Sequence, residues 1–127
     1  MINISLNTLQ RVSVLGALNS HQINDVTTFN RASKILERIE ITEDEKEKLN
    51  LKINPNGTIS WGLDDDGKQI DNFEDIVKDI KLSDEMSDLL KVIIDKKISD
   101  GVKLSTIVDR ALVDVYGQLT DPARNVE

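Results

Sequence analysis

Apolar side chains recur at helical spacing in two stretches of the first third of the chain. The first stretch predicts a helix over about residues 7–18, with Asn7 as its N-cap. The second predicts a helix that begins after Asp25, another N-cap residue, and turns one apolar face towards the core. The two predicted faces consist of Leu6, Leu9, Val12 and Gly16 or Ala17, and of Val26, Phe29, Ala32 or Ser33, Leu36 and Ile39.

In the middle of the chain, the period of the apolar pattern changes from helical spacing to alternation. Residues 51–53 and 58–61 alternate apolar with polar side chains and flank the turn sequence Asn-Pro-Asn-Gly at 54–57. This arrangement predicts a β-hairpin. Its alternation places Ile59 and Trp61 on one side, and we interpret Trp61 as a core residue.

Three further helices are predicted from their end signals. Thr42 and Glu45 have the spacing of a capping box, which predicts a short helix over residues 43–49. Ser83 caps a long helix that Gly101 ends, and a last helix opens at Ser105. The core positions predicted for the two long helices are Met86, Leu89, Leu90, Ile93, Ile94 and Ile98, then Ile107, Val108, Ala111, Leu112, Val115 and Tyr116.

Together these elements predict an α+β fold. We expect about five helices, a small two- or three-stranded antiparallel β-meander, and a C-terminal αα-hairpin. A short strand is predicted at residues 2–5, and residues 78–82 supply the third meander strand if it forms. A loop and a short helix from Asn72 are both consistent with the stretch before them. Residues 1–120 are expected to form a single globular domain, followed by a flexible tail at 121–127.

Charge is distributed unevenly along the chain. Residues 40–90 carry 15 Asp and Glu against 6 Lys and Arg, whereas the whole chain has a net charge of -7. A negative field repels phosphate backbones, so direct binding of nucleic acid is disfavoured. Arg11, Arg31, Lys34 and Arg38 are the basic side chains of the first 39 residues. They are interpreted as ordinary surface or, alternatively, as a small basic face.

The chain has few residues that catalysis commonly uses. It contains no Cys and a single His, His21, in a polar turn beside Ser20. Turn and capping chemistry accounts for that turn, so we predict no catalytic residue, no cofactor and no enzyme activity. The absence of Cys, of an N-terminal signal pattern and of any apolar run near 18 residues favours the cytoplasm over a membrane.

Asp64, Asp65 and Asp66 precede Gly67 and resemble part of a calcium-binding loop. Placing Gly67 at the sixth position of such a loop puts Phe73 where a bidentate Glu is required, so no metal site is predicted. We interpret the triplet as an acidic turn. The candidate partner-binding residues are Asp64, Asp65, Asp66, Glu74, Asp75 and Tyr116.

The order of these sequence pieces resembles that of short accessory proteins of tailed bacteriophages and prophages, which have no established activity. The segments that carry the resemblance are Leu9, Arg11 and Leu18, then residues 34–39, 41–45, 49–52, 57–61, 80–85, 89–91 and 115–116. The acidic stretch 64–74 is longer than the corresponding turn. The resemblance implies a viral origin and an accessory role in the host cytoplasm, and it transfers no catalytic residue.

These observations favour a non-enzymatic phage accessory protein that binds and modulates a host or phage protein through an acidic surface. One alternative is a virion or assembly component that self-associates, for instance as a homodimer, through Val92, Val113 and Tyr116. A second alternative is a winged-helix-like transcriptional regulator. Its third helix would face phosphates with Glu43, Asp44, Glu45 and Glu47, which argues against DNA binding.

Overall fold

A computed structural model of the chain describes residues 2–55, 57–101 and 106–120. These residues form five helices and four strands, which confirms the predicted α+β class. In chain order the elements are β1 Ile2–Leu6, α1 Thr8–Ser20, α2 Val26–Ile39, α3 Glu43–Leu49, β2 Lys52–Ile53, β3 Ile59–Ser60, β4 Lys78–Leu82, α4 Asp84–Ser99 and α5 Ile107–Thr120.

The predicted helix ends are set by side-chain caps. The side chains of Asn7, Asp25, Thr42 and Ser83 each accept a hydrogen bond from a backbone N–H in the first turn of α1, α2, α3 and α4. Such a bond satisfies one of the N–H groups that a helix leaves without an intrahelical partner. Gly101 follows α4 with φ +111°, which matches its predicted role at the helix end. Ser105 and residues 121–127, the predicted tail, lie outside the described residues.

The chain divides into two compact units. Unit 1 consists of residues 1–40 and 77–127, and unit 2 consists of residues 41–76. Unit 2 therefore lies between two segments of unit 1 in the sequence. The expectation of one domain over residues 1–120 stays a prediction.

Unit 1 contains a two-stranded sheet that joins distant parts of the chain. β1 pairs antiparallel with β4, with Ile4 opposite Ile80 and Leu6 opposite Lys78. Ile4, Leu6, Ile80 and Leu82 are buried on one face of this sheet. The strand predicted at 78–82 exists, but the idea that it extends the hairpin as a third strand is wrong, because its partner is β1.

Helices α1, α2, α4 and α5 cover the core of unit 1. The long helices α4 and α5 pack against each other, as the predicted helical pair requires. The core is aliphatic and draws on every element of the unit. Its fully buried side chains include Leu6, Val14, Ile35, Ile39, Leu82, Leu90, Ile94, Leu112 and Val115.

The buried faces of α1 and α2 differ from the predicted ones. In α1 the buried residues are Thr8, Arg11, Ser13, Val14, Ala17 and Leu18, whereas Gly16 is exposed. In α2 Ala32, Ile35 and Ile39 are buried, while Val26 is 75% and Phe29 58% exposed. The first turn of α2 therefore carries apolar side chains that the rest of unit 1 does not bury. Helical periodicity alone does not show which part of an apolar helix face another element will bury.

The same limit applies to α5. Ala111, Leu112 and Val115 are buried as predicted, but Ile107 and Val108 are exposed. Met86, Leu90, Ile93 and Ile94 of α4 are buried, so the pattern of that helix is confirmed.

Arg11 is the largest fully buried side chain of unit 1. Its Nε donates to the carbonyl oxygen of Ile39 at 3.0 Å, and its Nη2 donates to the carbonyl oxygen of Glu40 at 2.6 Å. The carbonyls at a helix C-terminus lack intrahelical donors and carry partial negative charge. A buried guanidinium from α1 therefore caps the C-terminal end of α2. One of the two carbonyls that it binds belongs to Glu40, the last residue of the first segment of unit 1.

Candidate protein-binding surface

Asp64 organises the acidic loop of unit 2. Its Oδ1 accepts hydrogen bonds from the backbone N–H groups of Asp66 and Lys68, both at 2.9 Å. The backbone of Asp64 also donates to the carbonyl of Lys68 and accepts from the N–H of Gly67, which has φ +79°. The predicted acidic turn is therefore present, and one of its carboxylates holds the turn closed.

The other two carboxylates of the triplet point into solvent. The side chain of Asp65 is 94% exposed and forms an ion pair with Lys52 of β2, with Nζ and Oδ1 2.8 Å apart. The hydrogen bond and the positive charge of Lys52 lower the pKa of Asp65 below its ordinary value of 3.8. Asp66 is exposed. The loop is thus joined to the hairpin while two of its carboxylates stay in contact with water.

The β2–β3 hairpin has the predicted turn. The N–H of Asn54 donates to the carbonyl of Thr58 at 2.7 Å, and Gly57 adopts φ +85°. Lys52 pairs with Ser60, and Ile53 pairs with Ile59. Ile53 is 75% exposed, and Ile59 is 40% exposed. Trp61, which we interpreted as a core residue, is partly buried.

Gly62 connects the pieces of unit 2. Its N–H donates to the carbonyl of Leu49 at 2.7 Å, and its carbonyl accepts from Ile70 at 2.9 Å. It has φ +75°, and a Cβ at this position would lie 3.1 Å from the ring of Phe73. Asn50, at the end of α3 in the left-handed conformation, donates through its side chain to the carbonyl of Leu63. Helix, hairpin and loop are therefore held together by backbone hydrogen bonds at Gly62 and by the side-chain amide of Asn50.

The remaining predicted partner-binding residues are distributed over both units. Glu74 and Asp75 are exposed in the segment before β4, and Asp75 Oδ1 accepts from the N–H of Ile76 at 2.8 Å. No helix forms from Asn72, which has φ +58° in an irregular segment. Tyr116 lies on α5 of unit 1, partly buried against the core. The acidic candidates thus belong to unit 2, and the aromatic one does not.

The alternative basic face on the first two helices does not include Arg11. Arg11 is buried and bonded to backbone carbonyls, as described above. Arg31 forms an ion pair with Glu85 at 3.5 Å, and Arg38 donates to the carbonyl of Lys81. Lys34 is exposed. Of the four candidates, Arg11 is removed from the surface, and Arg31 and Arg38 are engaged in contacts within unit 1.

The neighbourhood of His21 is built by helix caps. Asp25 accepts from the N–H and the hydroxyl of Thr28, and these bonds, the backbone one first, lower the pKa of its carboxyl below 3.8. Ser20 donates to the carbonyl of Ala17 at 3.2 Å. Ser20 and Asp25, which lie near His21 in the sequence, therefore have the local turn and capping roles that the sequence predicted.

Within residues 2–55, 57–101 and 106–120, no three or more His, Cys, Asp or Glu side chains are arranged so that they could hold a metal ion. In the same ranges, no helix has the length and apolar character needed to cross a bilayer.

The sequence pattern did not identify the exposed isoleucines of the hairpin. Alternation in 51–53 and 58–61 predicted the strands but not which face has a covering layer. A signal was nevertheless present: Ile53 directly precedes the turn sequence 54–57, and Ile59 follows it after Thr58. Segments next to turns usually lie at the surface.

Comparison with known proteins gives no match: no protein-family model, no curated protein and no solved structure is similar to this chain.

Proposed function

We propose that this protein is a non-enzymatic binding protein that uses unit 2 to engage a positively charged surface of another protein. The observation that carries this proposal is the distribution of charge between the units. Residues 41–76 contain 10 acidic and 4 basic side chains, a net charge of -6, whereas unit 1 has a net charge of -1. Complementary charge steers association and selects among partners.

The geometry of the loop supports the same proposal. Asp65 and Asp66 are exposed in a turn that Asp64 closes, so these carboxylates are presented on an ordered backbone. A preorganised surface loses less conformational entropy on binding than a flexible acidic segment does. Unit 2 therefore combines high negative charge with fixed positions.

An accessory role in a bacteriophage, acting on a host or phage protein in the host cytoplasm, is the biological setting that we propose. It is supported only by the resemblance of the sequence segments to phage accessory proteins. Because a capture experiment can use any bacterial lysate, the binding role can be tested separately from this setting.

The test compares charge variants that preserve the loop. The carboxylates of Asp64 and Asp75 accept backbone N–H groups, so the best positions for neutralisation are Asp66, Asp71 and Glu74, whose side chains make none of the bonds described above. The variant Asp66→Asn/Asp71→Asn/Glu74→Gln removes three charges from unit 2. The matched control, Glu37→Gln/Asp95→Asn/Asp100→Asn, removes three exposed charges from unit 1.

We expect affinity capture and mass spectrometry to find a protein that the wild type and the unit 1 control retain and that the unit 2 variant loses. Raising the salt concentration should weaken this capture, because exposed charges are screened. Equal capture by all three proteins would refute the role of the acidic surface.

Self-association is the second candidate, and a specific observation favours it. Val92 of α4 is 58% exposed, and Val113 of α5 is 48% exposed. Light scattering of the wild type and of Val92→Ser/Val113→Ser decides this point: a dimer that the variant abolishes supports an assembly role, and a monomer at high concentration excludes it.

A DNA-binding regulator is not proposed, since Arg11 is buried and Arg31 and Arg38 are engaged.

A further inference from the structure

Ile53 and Ile59 form an apolar pair on the surface of the hairpin. They are direct partners in the antiparallel register, so their side chains lie on the same face, side by side. Ile53 is 75% exposed, and Ile59 is 40% exposed. Ile53 and Ile59 are the two large aliphatic side chains that are exposed in the described part of unit 2.

This pair is joined to the acidic loop by a specific contact. Lys52, the residue before Ile53, forms the 2.8 Å ion pair with Asp65. Because neighbouring residues of a strand point to opposite faces, Lys52 holds the loop from one face and leaves Ile53 on the other. The apolar pair and the exposed carboxylates are therefore parts of one connected structure within unit 2.

We infer that Ile53 and Ile59 are the apolar anchor for the partner of unit 2, and that this partner is a positively charged protein segment presenting clustered apolar side chains. The inference rests on the proposed function and specifies the chemistry of the ligand. The net charge of -6 selects a basic segment, and the isoleucine pair selects one with an apolar face. A purely basic ligand would leave both isoleucines in water.

The negative charge of unit 2 also argues against other molecules that could bury its apolar pair. A second copy of the chain would bring another unit 2 with a charge of -6 to the same place, which like-charge repulsion opposes. Val26 and Phe29 of α2 are also exposed apolar side chains, but they belong to unit 1, whose net charge of -1 selects no class of partner.

The probe is a pair of synthetic peptides with identical composition. In one peptide, Leu residues recur at helical spacing on one face among Lys residues; in the other, the same Leu residues are dispersed around the helix. Fluorescence anisotropy measures the affinity of each labelled peptide for the protein. Both peptides carry the same positive charge, so a difference in affinity reports the apolar face.

For the wild type, we expect the clustered peptide to bind about tenfold more tightly than the dispersed one, because burial of two aliphatic side chains is worth at least that factor. Ile53→Thr/Ile59→Thr should bind both peptides with the lower affinity. Threonine keeps the β-branched shape that strands favour, and thermal unfolding verifies that the variant is folded. The control Val26→Thr/Val92→Thr, which changes two exposed valines of unit 1, should retain the tenfold difference.

The charge variant Asp66→Asn/Asp71→Asn/Glu74→Gln separates failure of this inference from failure of the proposed function. It should weaken binding of both peptides by the same factor and leave their ratio unchanged. If it leaves both affinities unchanged, the proposed function fails. If it weakens both while Ile53→Thr/Ile59→Thr still discriminates tenfold, the apolar anchor is refuted and the acidic surface stands.

A wild-type dimer in light scattering that Ile53→Thr/Ile59→Thr abolishes would identify a second copy as the occupant and would overturn the inference.

Discussion

The two units achieve order in different ways. Unit 1 buries an aliphatic core supplied by four helices and a two-stranded sheet, and its net charge is -1. In unit 2, only Leu49 and Gly62 are buried among the described residues, and the net charge is -6. Of the six described residues with positive φ, five lie in unit 2: Asn50, Gly57, Gly62, Gly67 and Asn72. Unit 2 thus depends on turn chemistry where unit 1 depends on apolar burial.

This difference has a functional consequence. A unit held by a large core can carry a nearly neutral surface and tolerate changes outside that core. A unit held by backbone bonds at turns leaves most of its side chains exposed, so it can concentrate charge on an ordered scaffold. The binding role that we propose therefore belongs to the unit that contributes less apolar burial.

The largest expected effect concerns the buried charge of unit 1. Arg11→Met should lower the free energy of unfolding by about 3 kcal/mol, because the buried carbonyl of Ile39 and the carbonyl of Glu40 would both lose the donor that Arg11 supplies. Urea denaturation measures the change. The control Lys34→Met removes an exposed positive charge and should change stability by less than about 0.5 kcal/mol.

If the two substitutions have equal effects, Arg11 does not cap α2 in the way that its hydrogen bonds indicate. Arg11→Lys sharpens the test. It keeps the charge but lacks the planar guanidinium that reaches both carbonyls, so we expect an intermediate loss of stability.

A smaller effect is expected from a turn of unit 2. Gly62→Ala should destabilise this unit by about 2 kcal/mol, because alanine is strained at φ +75° and its Cβ would lie 3.1 Å from Phe73. Gly67→Ala is the matched control. Gly67 has a similar φ of +79°, but a Cβ there meets nothing within 4 Å, so about 1 kcal/mol is expected.

Hydrogen exchange of the amides in residues 41–76 can locate this effect. Faster exchange in unit 2 than in the core of unit 1 would show that the turns stabilise unit 2 locally. An equal loss for Gly62→Ala and Gly67→Ala would mean that the Phe73 ring moves aside and that backbone conformation alone matters.

The smallest effect concerns the pH dependence of Asp65. Lys52 lowers the pKa of this carboxyl below 3.8, so its contribution to stability is present above its unfolded-state pKa. That contribution is lost as the pH falls through the lower, folded-state pKa. NMR titration of the Asp65 carboxyl should give a midpoint below 3.8, and Lys52→Met should raise it towards that value. A midpoint unchanged by Lys52→Met would show that the ion pair does not persist in solution.

Features that depend on neighbouring residues were predictable from the sequence. The N-caps Asn7, Asp25 and Ser83 were identified because a capping side chain bonds to the backbone a few residues away. The hairpin turn and the acidic turn at Asp64 follow from the same kind of local chemistry. The acidic candidates for the binding surface were identifiable for this reason, since charge can be counted along the chain.

Features that depend on distant residues were not predictable in this way. The interpretation of Arg11 as a surface residue failed because its guanidinium bonds to a helix end 28 residues away. The predicted third strand of the hairpin failed because β4 pairs with β1, which begins more than 70 residues earlier. Any antiparallel partner satisfies the backbone hydrogen bonds of a strand, so the strand's own residues do not specify which partner it has.

By itself, the sequence of this protein determined its α+β class, its helix ends, its turns and the location of its negative charge. These depend on hydrogen bonds and dihedral angles within a few residues. Only the tertiary structure decided that Arg11 is buried, that β1 pairs with β4, and that Phe29 and Ile53 remain exposed. These depend on which elements cover one another, and the same apolar side chain is a core residue or a surface residue according to that cover.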